Sequence, residues 1–130
     1  MKSSRGFTVI ELLFVVIILG VASVFFFIQK GDVEAAARDD QRKTAINAMY
    51  YGLEEVYYTE SGSYPRSIDS KTLPSVDPDL FTDPNGVKLG ESDSDYLYKA
   101  TDCDGDACKS YTLRTTLEAE DDFVKKSRRE

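Results

Sequence analysis

Hydrophobic and polar residues follow three successive patterns along this chain. Residues 7–28, FTVIELLFVVIILGVASVFFFI, are almost wholly apolar and carry one charge, Glu11. As an α-helix they would extend about 33 Å, enough to cross the hydrocarbon core of a bilayer. In residues 32–60 proline is absent and helix formers dominate. There Ile46, Met49, Tyr50, Leu53, Val56 and Tyr57 recur at intervals of three and four. Those intervals line up one apolar face, with Arg42, Lys43, Glu54, Glu55 and Glu60 mostly off it. Ala35, Ala36 and Ala37 form a small-residue section with little core of its own. The spacing predicts one helix over 7–60, about 80 Å long, or two helices broken at Gly31.

The third pattern begins at Glu60-Ser61-Gly62-Ser63-Tyr64-Pro65. Gly62 suits a left-handed helix cap, and Pro65 prevents continuation. Residues 66–95 hold Pro74, Pro78, Pro84, Gly86 and Gly90 among many Asp and Ser, which predicts loop with short turns. Leu73, Val76, Leu80 and Phe81 are the candidate anchors of that loop on the helix. YLYKAT and SYTLRTTLE alternate and are rich in Tyr and Thr, as strands are. Tyr111, Leu113, Thr115 and Leu117 share one face, and Thr112, Arg114, Thr116 and Glu118 the other. With DCDGDACK between them, the two strands read as a β-hairpin. Two strands alone are marginal, so the helix must supply the other half of the core, helped by an added strand near 87–89. The fold class expected is α+β: a long N-terminal helix packed against a small antiparallel sheet.

Composition narrows the function. A chain of 130 residues suggests one domain with an appendage. Histidine is absent, which removes the commonest acid-base and metal-binding side chain and argues against an enzyme; no nucleophile–base pair presents itself. The net charge of −7 disfavours nucleic acid as the main partner. Cys103 and Cys108, the two cysteines, flank the hairpin turn. A disulfide there fits an extracytoplasmic compartment and would contribute about 2 kcal/mol by loop entropy; the alternative is two free thiols.

The apolar segment admits three readings. Its head, Met1 to Gly6, carries Lys2 and Arg5 and no acid, so the N-terminus is expected in the cytoplasm and the acidic domain outside. A secretory signal peptide has a shorter apolar run, and cleavage after Val21-Ala22-Ser23 would leave the oily end Val24-Phe25-Phe26-Phe27-Ile28. A plain anchor leaves Glu11 unexplained, because an intramembrane carboxylate calls for a partner. The third reading supplies one: a cut between Gly6 and Phe7 gives Phe7 a positive α-amine, which can meet Glu11 of a neighbouring, staggered helix. Such a pair neutralises two charges in a low-dielectric bundle and fixes register more than it adds stability.

Lys-Ser-Ser-Arg-Gly-Phe-Thr-Val-Ile-Glu-Leu-Leu resembles the N-terminus of the type IV pilin superfamily, which includes type IV pilins and the pseudopilins of type II secretion and competence systems. Gly6, Phe7, Thr8 and Glu11 match the family pattern of leader glycine, mature Phe, Thr and the fifth-position Glu. The resemblance implies the pilin fold, cleavage after Gly6 by a prepilin peptidase, N-methylation of Phe7, and assembly through Phe7, Thr8 and Glu11. It further implies an inner-membrane assembly platform and an assembly ATPase as partners. Many pilins carry a proline late in the apolar helix; here none precedes Pro65, and nothing in the sequence supports local melting near Gly20. Tyr57-Tyr58-Thr59-Glu60-Ser61-Gly62-Ser63-Tyr64-Pro65 and Asp83-Pro84-Asn85-Gly86 before Tyr96-Leu97-Tyr98 resemble the helix exit and the Asp-Pro turn of major pseudopilins.

The organisation expected is a leader over 1–6, a transmembrane and assembly helix over 7–30, an amphipathic helix over 31–60, and loop plus hairpin over 61–130. The function expected is a structural subunit of a type IV pilus or pilus-like filament, membrane-anchored with its C-terminal domain outside and then polymerised with itself. The major pseudopilin of a secretion or competence system is the alternative. A monomeric anchored calcium- or ligand-binding module is the alternative of another class. For it, Asp102, Asp104 and Asp106 match the start of an EF-hand loop in spacing only. Gly105 comes too early and Leu113 stands where a glutamate is needed, so no metal or other cofactor is expected. The tail, with Lys125, Lys126, Arg128 and Arg129, offers cations to DNA, an anionic polymer or a neighbour's acidic surface, but reads first as a solvated, disordered end.

Overall fold

The computed structural model describes residues 6–129; the basic head, residues 1–5, lies outside them. The chain forms two compact units, Met1–Ala35 and Ala36–Glu130. Helix α1 is Val9–Tyr51 and runs through Gly20 and Gly31 without a break. In the first unit its large apolar residues are all exposed, from Val9 at 78 % to Val15 at 43 %, so none has a protein core to bury it. Ser23 spends its hydroxyl on the Leu19 carbonyl at 2.7 Å and presents no free donor, and Lys30 pairs with Glu34 one turn on at 3.8 Å.

The second unit is α+β. After α1 come a π-helical turn (Gly52–Tyr57), the short helix α2 (Tyr58–Ser61), and strands β1 (Tyr64–Pro65), β2 (Tyr96–Asp104), β3 (Ala107–Thr115) and β4 (Phe123–Lys126). Gly62 closes α2 in the left-handed region at φ 70°, where a side chain would be strained. β3 is central and antiparallel to all three neighbours: β2 takes one edge, β1 and β4 share the other. Ala45, Ile46, Met49 and Leu53 of the helix meet Tyr96 of β2 and Tyr111 and Leu113 of β3. Ile68, Leu73, Val76 and Phe81 of the loop close the core.

Two charged residues expected off the apolar face are buried instead, Arg42 at 2 % and Glu54 at 4 % exposure. The π-turn explains Glu54: its extra residue rotates the helix so that Gly52, Leu53 and Glu54 all face inward. Gly52 is needed there because a Cβ would stand 2.8 Å from Val76 Cγ2. The added strand expected near 87–89 is a single bridge, Thr82 to Lys88, because Asp83 organises this stretch as a turn. Its Oδ1 accepts the N–H groups of Asn85 and Val87, and its Oδ2 that of Asp95, each at 2.9 Å. The tail is not a disordered end: β4 pairs with β3, and Lys125 and Val124 stand opposite Leu113 and Arg114.

The hairpin turns on Gly105-Asp106, with only Gly105 at positive φ, the type II′ pattern. Strict alternation would place Cys108 on the outer face with Ser110 and Thr112. It is instead buried with Tyr111 and Leu113. Asp102, at φ 53°, breaks the pleat opposite Lys109, and beyond it Cys103 and Cys108 face inward, joined as a disulfide.

Leu113 is fully buried whereas Leu97 is 49 % exposed. Leu113→Ala should cost about 3 kcal/mol, and Leu97→Ala under about 1 kcal/mol, in denaturant melts of the detergent-solubilised chain. Equal losses would contradict the assignment of the two sheet faces.

Candidate functional site

Gly6, Phe7 and Thr8 precede the first helical residue, Val9, as exposed chain outside regular secondary structure. The Gly6–Phe7 step is therefore accessible backbone, and a Cβ built on Gly6 meets nothing within 4 Å. Phe7 is 76 % exposed. Thr8 begins the helix: its hydroxyl oxygen accepts the Glu11 N–H at 3.3 Å and its carbonyl accepts the Leu12 N–H at 3.1 Å. Thr8 is thus the N-cap and Glu11 the third helical residue. Thr-x-x-Glu ahead of an apolar run is the capping-box pattern, a signal in the sequence that accounts for both residues locally. Glu11 also lies where the helix dipole is positive, which favours a carboxylate by about 0.3–1 kcal/mol. Within one chain the structure brings Thr8 to Glu11.

A second constellation fixes the sheet to the helix. Arg42 donates to Asp39 Oδ1 at 2.9 Å, to Asp95 Oδ2 at 3.0 Å and to Glu118 Oε2 at 2.9 Å. Arg38 grips the same Glu118 with two nitrogens, at 2.7 and 3.0 Å. Asp39 accepts the backbone N–H groups of Glu118 and Ala119, each at 2.8 Å. Lys43 holds Glu120. The segment after β3 is thereby clamped to one side of α1, and β2 is tied in through Asp95. Hydrogen bonds from Arg38 and Arg42 push the Glu118 carboxyl down to about 2. Burial works against ionised Asp39, but the two backbone N–H groups and Arg42 outweigh it and hold its carboxyl below the usual range.

Glu54 is the counterpart at the other end of the unit. It accepts the Tyr64 and Tyr111 hydroxyls at 2.9 Å each and the Arg128 N–H at 3.0 Å. Burial, with this carboxylate, raises both phenols well above their ordinary value. Tyr64 meets Tyr111 edge-on at 4.7 Å, and Tyr98 stacks on Tyr111 at 5.5 Å. Among the described residues no buried side-chain polar atom lacks a hydrogen-bond partner. Every buried charge here is therefore used by the fold. Asp102, Asp104 and Asp106 are exposed at the hairpin end, and among the described residues no group of three or more Cys, Asp or Glu is placed to hold a metal ion.

Residues 1–27 match the family model of the prokaryotic N-terminal methylation motif. This is the class III prepilin signal, and it supports a type IV pilin or pseudopilin. No curated protein and no solved structure matches the chain. The long helix with its four-stranded antiparallel sheet is consistent with the pilin fold, and the motif implies processing by a prepilin peptidase and assembly into a pilus-like polymer.

A carboxylate held below its ordinary range stabilises the folded chain above that range, and the contribution is lost as pH falls through the folded value. Stability should therefore drop as pH is lowered from about 4.5 towards about 2, the span over which Glu118 is displaced. Glu118→Gln should flatten part of that drop, read as melting temperature against pH. Arg42→Ala, which leaves Asp39 without its buried partner, should cost about 3 kcal/mol at neutral pH.

Proposed function

We propose that this chain, whose N-terminus carries the class III prepilin signal, is a structural subunit of a type IV pilus or pilus-like filament. One observation carries the reading. The methylation motif over residues 1–27 opens a helix whose apolar residues have no core within the chain, with a lone carboxylate in its first turn. An apolar helix of this length must be covered by lipid or by other helices. Lipid suits the precursor and copies of the same helix suit the polymer.

The steps follow from the residues. A prepilin peptidase cuts at the exposed Gly6–Phe7 bond and frees the Phe7 α-amine, which is then N-methylated. The cut removes Lys2 and Arg5, taking the net charge from −7 to −9. In the precursor Glu11 is eased by the helix dipole; in the polymer it meets the Phe7 amine of the next subunit. Thr8 holds the first turn so that amine and carboxylate keep a fixed spacing. The membrane holds the subunit before assembly, and the assembly platform and its ATPase drive polymerisation. The function is assembly and not catalysis. The Asp83 turn and the helix exit at Gly62, which resemble those of major pseudopilins, favour a secretion or competence pseudopilus as the second reading.

Gly6→Ala should leave the leader attached, seen as an intact mass that retains the first six residues. Glu11→Ala should be inserted and processed normally but yield few filaments in electron micrographs of sheared material. Wild-type filament numbers from Glu11→Ala would remove the register role, and loss of the leader from Gly6→Ala would remove the cleavage assignment.

A further inference from the structure

We propose that Glu91 and Asp93, beside the β2 edge of the sheet, dock against Lys125 and Lys126 of β4 in a second copy of this chain. The inference rests on the filament reading and names a lateral contact within it.

The two charge groups flank opposite edges of one sheet. β3 carries β2 on one side and β4 on the other. Residues 77–95 hold six carboxylates and one lysine. Three of the six are engaged within the chain. Asp83 and Asp95 are spent on the turn and on Arg42, and Asp77 accepts the Asp79 N–H at the start of a 3-10 turn. Glu91 and Asp93 are exposed, and their side chains have no hydrogen bond or ion pair among the described residues. Glu91 lies beside β2 in a cleft with Leu89, Tyr96, Leu97 and Tyr98, which Arg66 also lines while donating to the Gly105 carbonyl, and Asp93 follows two residues on.

Across the sheet, Arg128 is taken up by Glu55 and Tyr50, and Arg114 faces Asp122 at 3.8 Å. Lys126 is exposed and has no carboxylate among the described residues. Lys125 sits over the rings of Tyr50 and Phe123, at 5.3 and 5.4 Å, which orient its ammonium without neutralising it. Exposed Val124 shares the face of Lys126, while half-buried Lys125 shares that of Phe123, and exposed Leu97 lies on the acidic side, so each edge also offers an apolar contact.

Charge complementarity selects a second copy as the occupant. A foreign polyanion could match the lysines but would meet the carboxylates that dominate the rest of the chain, and Glu91 and Asp93 would stay unmatched. Copies of the chain match both groups, the acidic side of one meeting the lysines of the next and its own lysines meeting the acidic side of a third. Because they flank opposite edges, the contact is heterologous and repeats from subunit to subunit instead of closing a two-fold dimer. Exposed pairs of this kind set orientation and salt dependence more than affinity.

The test is charge exchange in cells that make the filaments. Glu91→Lys with Asp93→Lys, and separately Lys125→Glu with Lys126→Glu, should each lower sheared filament yield several-fold while membrane levels of the subunit hold. Combining all four should restore most of the yield. Reversed chains that assemble normally, or a combination no better than its worse parent, would overturn the contact. Where a reversed chain fails to accumulate, Glu91→Gln and Lys126→Gln give the same reading: reduced yield supports the contact and unchanged yield overturns it. Wild-type cells without filaments would remove the polymer reading itself, and this contact with it.

Discussion

A carboxylate inside an apolar helix is the constraint from which the rest follows. An isolated ionised group in a low-dielectric surround is costly enough that it must be neutralised or paired. Glu11 has no cation among the described residues of its own helix until Lys30. What it does have is the first turn: the Thr8 cap and the dipole of α1. Those ease the charge without cancelling it. The remaining demand is met in the proposed filament by an amine that exists only after the Gly6–Phe7 bond is cut. Cleavage and assembly are then coupled by electrostatics, since an uncut chain brings no amine at Phe7 to the neighbour.

The second unit obeys the same rule by internal means. Arg42 is buried against three carboxylates, Asp39, Asp95 and Glu118, and Glu54 against three donors, from Tyr64, Tyr111 and Arg128. Arg42 makes buried ion pairs and Glu54 is held by neutral donors; buried charges add little stability relative to apolar packing, but removing a partner is expensive. Their value lies in specificity. Arg42 fixes the segments on either side of the hairpin to one helix face, and Glu54, at the other end of the unit, fixes the segment after β4 together with Tyr64 and Tyr111. A small sheet of four strands, one of them two residues long, could otherwise slide on an apolar helix.

Legibility in the sequence followed the strength of each periodic signal. The apolar run, the 46–57 stripe and the alternation of Tyr111, Leu113 and Thr115 each repeat enough to be read, and the α+β class followed from them. The π-turn was not readable, because one inserted residue leaves the three-and-four spacing nearly intact while rotating Glu54 inward. The inward turn of Cys108 was hidden by a single residue, Asp102, in the left-handed region. β4 was missed because FVKK is short and its charges suggest solvent, whereas pairing with β3 satisfies its backbone, exposes Lys126 and lays Lys125 half-buried over Tyr50 and Phe123. At the N-terminus the pattern Gly6-Phe7-Thr8 with Glu11 was legible, and the Thr-x-x-Glu cap is written in two of the same residues.

In the proposed filament the two units divide the work of assembly along physical lines. Apolar contact between helices is strong and non-directional: it favours gathering chains but tolerates many registers. Charge is weak at the surface and expensive in the interior, and so discriminates between registers without supplying much net energy. A subunit with only the apolar helix would aggregate; one with only the acidic domain, at a net charge of −7 before processing, would repel its copies. In the proposed filament, one carboxylate in the first turn of the helix, with Glu91 and Asp93 beside one edge of the sheet and Lys125 and Lys126 on the strand at the other, lets association be driven by one term and directed by the other. Both charge relations of the proposed filament run from one chain to the next and neither closes on itself, so the product of such a division is an open polymer.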